Sequence, residues 1–138
     1  MVVFLLVVIG AAVAVGMLMH ISRKSVEVYR GRQCMGKLWR REFPDSPKED
    51  IRQFLWMFAS SFAIPRRQAL LLRPDDELLA IYRARYPVGG WPDALEFETL
   101  ANDLDRIHDL SLRSIWHDRL SMGELFAALG EQGRKGLS

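Results

Sequence analysis

The chain has 138 residues, a formal net charge of +2 and 49% hydrophobic residues, which bounds it to one modest domain plus an accessory segment and excludes two full cores. Its single cysteine, Cys34, excludes an intrachain disulfide and a cysteine metal cluster, and fits a reducing compartment. We expect Cys34 to be a small, half-buried thiol, with lipidation as the alternative.

The first 19 residues contain no charged side chain. As a helix they would extend for roughly 28 Å, close to the thickness of the bilayer hydrocarbon, so residues 1–20 are predicted to form a transmembrane helix. A cleaved signal peptide is the alternative, because Ala12-Val13-Ala14 resembles a cleavage site, but the basic n-region is missing. Small residues four positions apart would allow a second helix to pack against this segment, namely Gly10, Ala12, Ala14 and Gly16.

Residues 20–41 carry seven basic residues and one acid, whereas the rest of the chain has twelve basic and sixteen acidic residues. Basic flanks favour the cytoplasmic side, so we expect a single-pass protein of the cell membrane with its N-terminus outside and its soluble domain in the cytoplasm. Anionic lipid attracts such a flank, and it does not indicate nucleic-acid binding. The predicted membrane-surface residues are Arg23, Lys24, Arg30, Arg32, Lys37, Arg40 and Arg41.

Three further regions follow the predicted span. Residues 21–46 are expected to form a basic juxtamembrane connector in which Tyr29 and Trp39 lie at the level of the lipid headgroups. Residues 47–130 are predicted to form a helical bundle, and residues 131–138 a flexible tail.

The first helix of the predicted bundle has apolar residues three and four positions apart and should end before Pro65. Ser46 is expected to cap it, with Glu49 completing a capping box. Its buried face is predicted to consist of Ile51, Phe54, Leu55, Phe58 and Phe62.

Later helices are predicted from the same signals. A short helix should follow Asp75, and a third should be capped by Asp93. The segment after it should be a turn or a partial helix, and a capping box at Ser121 should open a last helix that Gly130 ends. The inward residues of these helices are expected to be Leu78, Leu79, Ile81 and Tyr82, then Leu95, Leu100, Ala101, Leu104 and Ile107 or His108, and finally Leu125, Phe126 and Leu129.

This order of helices resembles an acyl carrier protein over roughly residues 47–130. The resemblance lies in a first long helix, an extended loop, a helix opened by Asp93-Ala94-Leu95-Glu96, and a last helix opened by LSMGELF. In that family the second long helix opens with Asp-Ser-Leu, and the serine carries phosphopantetheine. Ala94 stands in place of the serine, so the resemblance implies neither this cofactor nor acyl transfer. Glu98 also departs from the family, which usually has an aliphatic residue there.

The resemblance further implies an acidic docking face for a basic protein partner. A face that is merely solvated is the alternative, because exposed charges usually contribute little. Trp91 precedes this helix in a glycine-rich loop and is expected either to anchor a partner or to fold over the core. The predicted partner-binding residues are Trp91, Asp93, Glu96, Glu98, Asp103 and Asp105.

No catalytic pattern is visible in the sequence. The histidines His20, His108 and His117 have no metal-ligand spacing and no neighbouring serine or cysteine motif. We therefore expect no enzyme, no metal and no cofactor. The predicted fold class is all-α, with a single transmembrane helix before a small carrier-like bundle. The predicted function is a membrane-tethered, non-catalytic scaffold or regulatory module, with an accessory subunit of a membrane enzyme or transporter, held by its span, as the alternative.

Overall fold

The computed structural model describes Tyr29 and residues 31–85 and 95–137. The described chain is helical, with one isolated antiparallel bridge between Glu77 and Ser121. The helices are α1 (Gly36–Glu42), α2 (Lys48–Ser61), a 3-10 helix (Arg66–Leu71), α3 (Leu78–Arg85), α4 (Leu95–His108), α5 (Leu112–Ile115) and α6 (Met122–Gly136).

The predicted fold class needs a correction. In the part of the chain that the structure describes, no helix has both the length and the apolar character to cross a bilayer. The fold class that combined a transmembrane helix with the bundle is therefore wrong, whereas its all-helical character is confirmed. The segment 1–20 on which the span was predicted lies outside the described residues, as do the small residues Gly10, Ala12, Ala14 and Gly16.

Helix α2 buries the face that its apolar spacing predicts. Ile51, Phe54, Leu55 and Phe58 are all buried, and Phe62 is buried directly after the helix. The predicted cap is wrong, because Pro47 occupies the capping position and no side chain donates or accepts a capping hydrogen bond there. The carboxylates of the first turn, Glu49 and Asp50, still lie at the end of the helix dipole that favours negative charge.

Helices α2 and α4 end without glycine. After α2, Ala63 has a φ of 50°, and the N–H of Ile64 donates to the carbonyl of Ala59 at 2.7 Å. After α4, Asp109 has a φ of 51°, and the N–H of Leu110 donates to the carbonyl of Leu104 at 3.2 Å. The first return spans six residues and is a Schellman end, whereas the second spans seven residues. In both, the residue with positive φ occupies a position that usually carries glycine.

Four aromatic rings form the centre of one half of the core. Trp39 from α1 packs on Phe43 and Phe54, and Phe126 from α6 lies edge-on to both Trp39 and Phe43, with ring centroids 5.8 and 4.9 Å apart. We call these four residues the closed cluster. Its rings approach in tilted and edge-on geometries that favour aromatic pairs beyond simple burial of area.

The burial of Trp39 corrects the expectation that it lies among lipid headgroups. Its side chain is 0% exposed, and its indole Nε1 donates to the carbonyl of Leu72 at 2.9 Å. The outer side of α1 carries the exposed bases Lys37, Arg40 and Arg41, which makes this short helix amphipathic. The second half of the predicted connector is thus part of the folded body.

Helix α6 begins as predicted and ends later. The Oγ of Ser121 accepts from the N–H of Glu124 at 3.2 Å, and the Glu124 carboxylate accepts from the N–H of Ser121 at 2.8 Å, so the capping box is confirmed. Gly123 lies so close to Pro74 that an added Cβ would be 3.1 Å from the Pro74 carbonyl oxygen. Gly130 does not end the helix, because it keeps a helical φ, and the predicted flexible tail is helical to Gly136.

The inner face of α4 is narrower than predicted. Leu100 and Leu104 are fully buried, and Ala101 and His108 are half-buried, but Leu95 and Ile107 are 65% and 54% exposed. Seven residues of α3 and α6 were also predicted to face inward. Five of them are buried, namely Leu78, Ile81, Tyr82, Leu125 and Phe126, and two are half-buried, namely Leu79 and Leu129.

Candidate interaction surface

An open apolar pocket of about 380 Å³ lies between α4 and α5. Four of its lining residues are apolar, and the other two, which are exposed and oppositely charged, are called its rim below. Together the lining consists of Phe97, Ala101, Leu112 and Trp116, with Glu98 and Arg113.

Phe97 connects the pocket to the core. Its ring lies edge-on to Phe62 at 5.2 Å and to Trp116 at 5.3 Å, and it is tilted against Tyr82 of α3 at 5.4 Å between centroids. We call these four residues the open cluster, because Trp116 keeps 36% of its surface exposed. An exposed indole beside an apolar cavity is typical of an anchor for a partner protein.

Helix geometry explains why these residues meet. Phe97 and Ala101 are four positions apart on α4, so they lie on one face, and Leu112 and Trp116 have the same spacing along and just after α5. Buried Leu112 fixes α5 against the core and so holds Trp116 over Phe97. The sequence reasoning missed Phe97, Leu112, Arg113 and Trp116, although the two spacings of four were a usable signal.

The acids predicted for partner binding fall into different settings. Glu98 is exposed and lies on the pocket rim, and Asp105, seven residues further along α4, is exposed on the same side of the helix. Glu96 is half-buried. The other predicted residues Trp91 and Asp93, as well as Ala94, lie outside the described residues.

Asp103 has a role within the fold. One of its carboxylate oxygens accepts from the Ser61 hydroxyl at 3.4 Å, and the other accepts from the Arg106 guanidinium at 3.2 Å. The first contact joins α4 to the end of α2. Asp103 therefore has hydrogen-bond partners within the molecule, and its role in partner binding stays a prediction.

The predicted membrane-surface residues also separate. Lys37, Arg40 and Arg41 are exposed on α1, whereas Arg32 is half-buried and forms a forked ion pair with Asp76, at 2.6 and 3.0 Å. Arg32 therefore has an ion-pair partner within the fold, and its assignment to the lipid surface stays a prediction. Arg23, Lys24 and Arg30 lie outside the described residues.

The remaining reactive side chains are dispersed. Cys34 is exposed, which corrects the expected half-buried thiol. His117 lies 3.3 Å from Glu124, and burial lowers the pKa of His108 below its ordinary value. Within the described residues, no three histidine, cysteine or acidic side chains are grouped so that they could hold a metal ion.

Comparison of this chain with protein-family models, with curated proteins and with solved structures found no match. The function proposed below therefore depends on the geometry of the pocket and on the residue pattern.

Proposed function

We propose that this protein is a non-catalytic interaction module that binds a partner protein through the open pocket between α4 and α5. The observation that carries the proposal is the exposed indole of Trp116 beside an apolar cavity of about 380 Å³. A cavity of this size accepts one or two apolar side chains of a partner, and aromatic residues in such positions commonly contribute most of the binding energy.

The charges around the pocket define the chemistry of the partner. Glu98 on the rim and Asp105 on the same side of α4 form an acidic row, and Arg113 lies on the opposite rim. A matching surface has an apolar side chain flanked by basic residues towards α4 and one acidic residue towards α5. Charges arranged in this way increase the association rate and fix the orientation of a complex.

The proposed module has a carrier-like fold without carrier chemistry. Its basis is the order of the helices, together with Ala94 at the serine position of the family. A 14-residue helix is followed by a connecting stretch that contains the 3-10 helix and the eight-residue α3, then by a second 14-residue helix, a four-residue helix and a capped last helix. Incubation with a phosphopantetheinyl transferase and coenzyme A should leave the mass of the protein unchanged. A gain in mass at Ser111 or Ser121 would overturn this part of the proposal.

The central test is quantitative affinity capture by the full chain from extracts of its own cells. Trp116→Ala should reduce recovery of the partner at least about tenfold, because a central aromatic anchor contributes more than about 1.4 kcal/mol. Ile107→Ala is the matched control, since it removes an exposed apolar side chain at the other end of α4.

Charge reversal tests the acidic row separately. Glu98→Lys should weaken capture and remove part of the salt dependence of capture. Glu131→Lys, which changes an exposed residue of α6, should alter neither. A protein recovered equally by the wild type, Trp116→Ala and Glu98→Lys does not use this pocket, and that result would reject the proposal.

A further inference from the structure

The N-terminal arm, which is Tyr29 together with residues 31–35, lies against the segment that leads into α3. Successive carbonyls of that segment accept hydrogen bonds from the arm and from the helix that follows it. Leu70 accepts from the N–H of Met35 at 2.8 Å, Leu71 from the guanidinium of Arg32 at 3.4 Å, and Leu72 from the indole of Trp39 at 2.9 Å.

Arg32 forms the strongest of these attachments. Both of its terminal nitrogens donate to the Asp76 carboxylate, and the ring of Tyr29 lies 4.8 Å from the guanidinium carbon. This geometry is bidentate, and such pairs are among the stronger side-chain hydrogen bonds in proteins. The side-chain hydrogen bonds to Asp76 raise the pKa of Arg32 above its ordinary value, so the guanidinium stays charged.

Asp76 connects the arm to the last helix. Its carboxylate also accepts from the N–H of Arg73 at 2.8 Å, and its own carbonyl accepts from the N–H of Met122 at 2.9 Å. Two residues later, the N–H of Leu78 donates to the carbonyl of Leu120 at 2.9 Å. The position of the arm is thus coupled to α3 and to the loop that enters α6.

Both of these elements reach the open pocket. Tyr82 of α3 packs against Phe97, which lines the pocket. Leu120 lies four residues after Trp116, in the same loop. A displacement of segment 70–78 therefore acts on Phe97 through a ring contact and on Trp116 through the backbone.

We propose that the N-terminal arm is a strap that regulates the pocket between α4 and α5. Docked on residues 70–76, the arm holds Phe97 and Trp116 in the arrangement described here, and its release shifts them and weakens partner binding. Binding or tension on the chain upstream of Tyr29 would release it. The arm is attached by these hydrogen bonds and by partial packing of Tyr29 and Met35 against the core, and none of its described side chains is fully buried, so it opens locally while the closed cluster remains folded. The proposal concerns regulation and rests on the proposed function of the pocket.

The first test follows Trp116 directly in the full chain, kept in solution with a mild detergent. The protein is labelled with 5-fluorotryptophan, and the fluorine resonance of Trp116 is assigned with Trp116→Phe. Arg32→Ala should shift or broaden this resonance. Arg106→Ala is the matched control and should leave the resonance unchanged, because it breaks an ion pair with Asp103 on α4 that lies outside segment 70–78 and outside the loop of Trp116. A Trp116 resonance that is identical in Arg32→Ala and the wild type overturns the proposal.

Hydrogen exchange measured by mass spectrometry tests the docking itself. In Arg32→Ala, amides of residues 70–78 should exchange roughly tenfold faster, in line with the loss of charged hydrogen bonds, while those of 54–58 in α2 stay protected. Unchanged exchange at residues 70–78 would show that the arm does not stabilise this segment, and this result would also overturn the proposal.

A reversed pair covers the case in which Arg32→Ala unfolds. The double variant Arg32→Asp with Asp76→Arg keeps both charges and should recover part of the protection at 70–78, together with the wild-type Trp116 resonance. Recovery of protection without recovery of that resonance would refute the coupling between arm and pocket.

These readouts need no partner, so the two proposals fail in different ways. If the wild type captures no partner, the function proposed for the pocket is wrong, but the fluorine and exchange results still decide whether the strap exists. If Trp116→Ala abolishes capture while Arg32→Ala alters neither the Trp116 resonance nor capture, the function stands and the strap is rejected.

Discussion

The two aromatic clusters of this protein use the same residue types for different ends. In the closed cluster, Trp39 is fully buried and its indole donates to a backbone carbonyl. In the open cluster, the indole of Trp116 lies at the protein surface beside a cavity. An aromatic ring that is enclosed and hydrogen-bonded contributes mainly to stability, whereas one that stays partly exposed retains apolar area for a partner.

The variant expected to have the largest effect on stability is Trp39→Ala, and it tests the role of the closed cluster in this comparison. It removes the largest ring of the closed cluster and leaves the Leu72 carbonyl without its donor, so the free energy of unfolding should fall by about 3–5 kcal/mol. Urea denaturation followed by circular dichroism measures this loss. A loss below about 1 kcal/mol would show that the closed cluster is not the stabilising centre.

The capping box of α6 sharpens the comparison, because that helix supplies Phe126 to the closed cluster. Ser121→Ala should cost about 1 kcal/mol of stability, measured in the same denaturation experiment. Ser114→Ala is the control, since its exposed hydroxyl donates only to a local carbonyl. Equal stabilities of the two variants would mean that the cap contributes nothing measurable.

The same cap predicts a pH dependence. Hydrogen bonds from Ser121, the backbone N–H first, lower the pKa of Glu124 below its ordinary value of 4.5. A carboxyl with a depressed pKa in the folded state stabilises it above the unfolded pKa, and this stabilisation is lost as the pH falls through the folded pKa. Below pH 4.5 the wild type should therefore lose stability more steeply than Glu124→Gln. Parallel curves for the two proteins would contradict this account.

A stabilising change is expected at the end of α2, beside the open cluster. Ala63 holds a left-handed conformation that costs an alanine roughly 1 kcal/mol, so Ala63→Gly should raise the stability by up to about that amount. Ala101→Gly, inside α4, should lower stability by a similar amount. A destabilised Ala63→Gly would mean that the methyl group makes contacts that outweigh its strain.

The smallest effect on folding should come from Trp116→Ala. Because Trp116 is partly exposed and its ring contact is with Phe97, its loss should change the free energy of unfolding by less than about 1 kcal/mol, even though the same variant is expected to weaken the proposed partner capture. Thermal denaturation provides the measurement. A loss comparable with that of Trp39→Ala would erase the distinction between the two clusters.

Local patterns in the sequence predicted the elements whose stabilising contacts are local. The stripe of α2 and the capping box at Ser121 are read from residues three and four positions apart. The burial of Trp39 and the ion pair of Arg32 could not be predicted, because their partners are distant in the chain, at Leu72 and Asp76. A run of basic residues beside an apolar segment looks the same whether a base faces lipid or a carboxylate 44 residues away.

The candidate site was only partly accessible to sequence reasoning. Glu98 was found because acids in the first turns of a helix are visible as a pattern. The pocket itself requires α5 to fold back on α4, and the contact between Phe97 and Trp116 joins residues of two different helices. The contact of Asp103 was equally invisible, because charge alone does not reveal that a neighbouring helix supplies a hydrogen-bond partner, Ser61.

The hydrogen bond from Trp39 to Leu72 also limits where the N-terminus of a truncated fragment can lie. A fragment trimmed to begin at residue 47, where the sequence suggests a domain boundary, would lack this indole and would open a large void between Phe54 and Phe126. Such a fragment is expected to be poorly soluble and prone to proteolysis, for reasons unrelated to the pocket between α4 and α5. Minimal versions for crystallisation or screening should start no later than Tyr29.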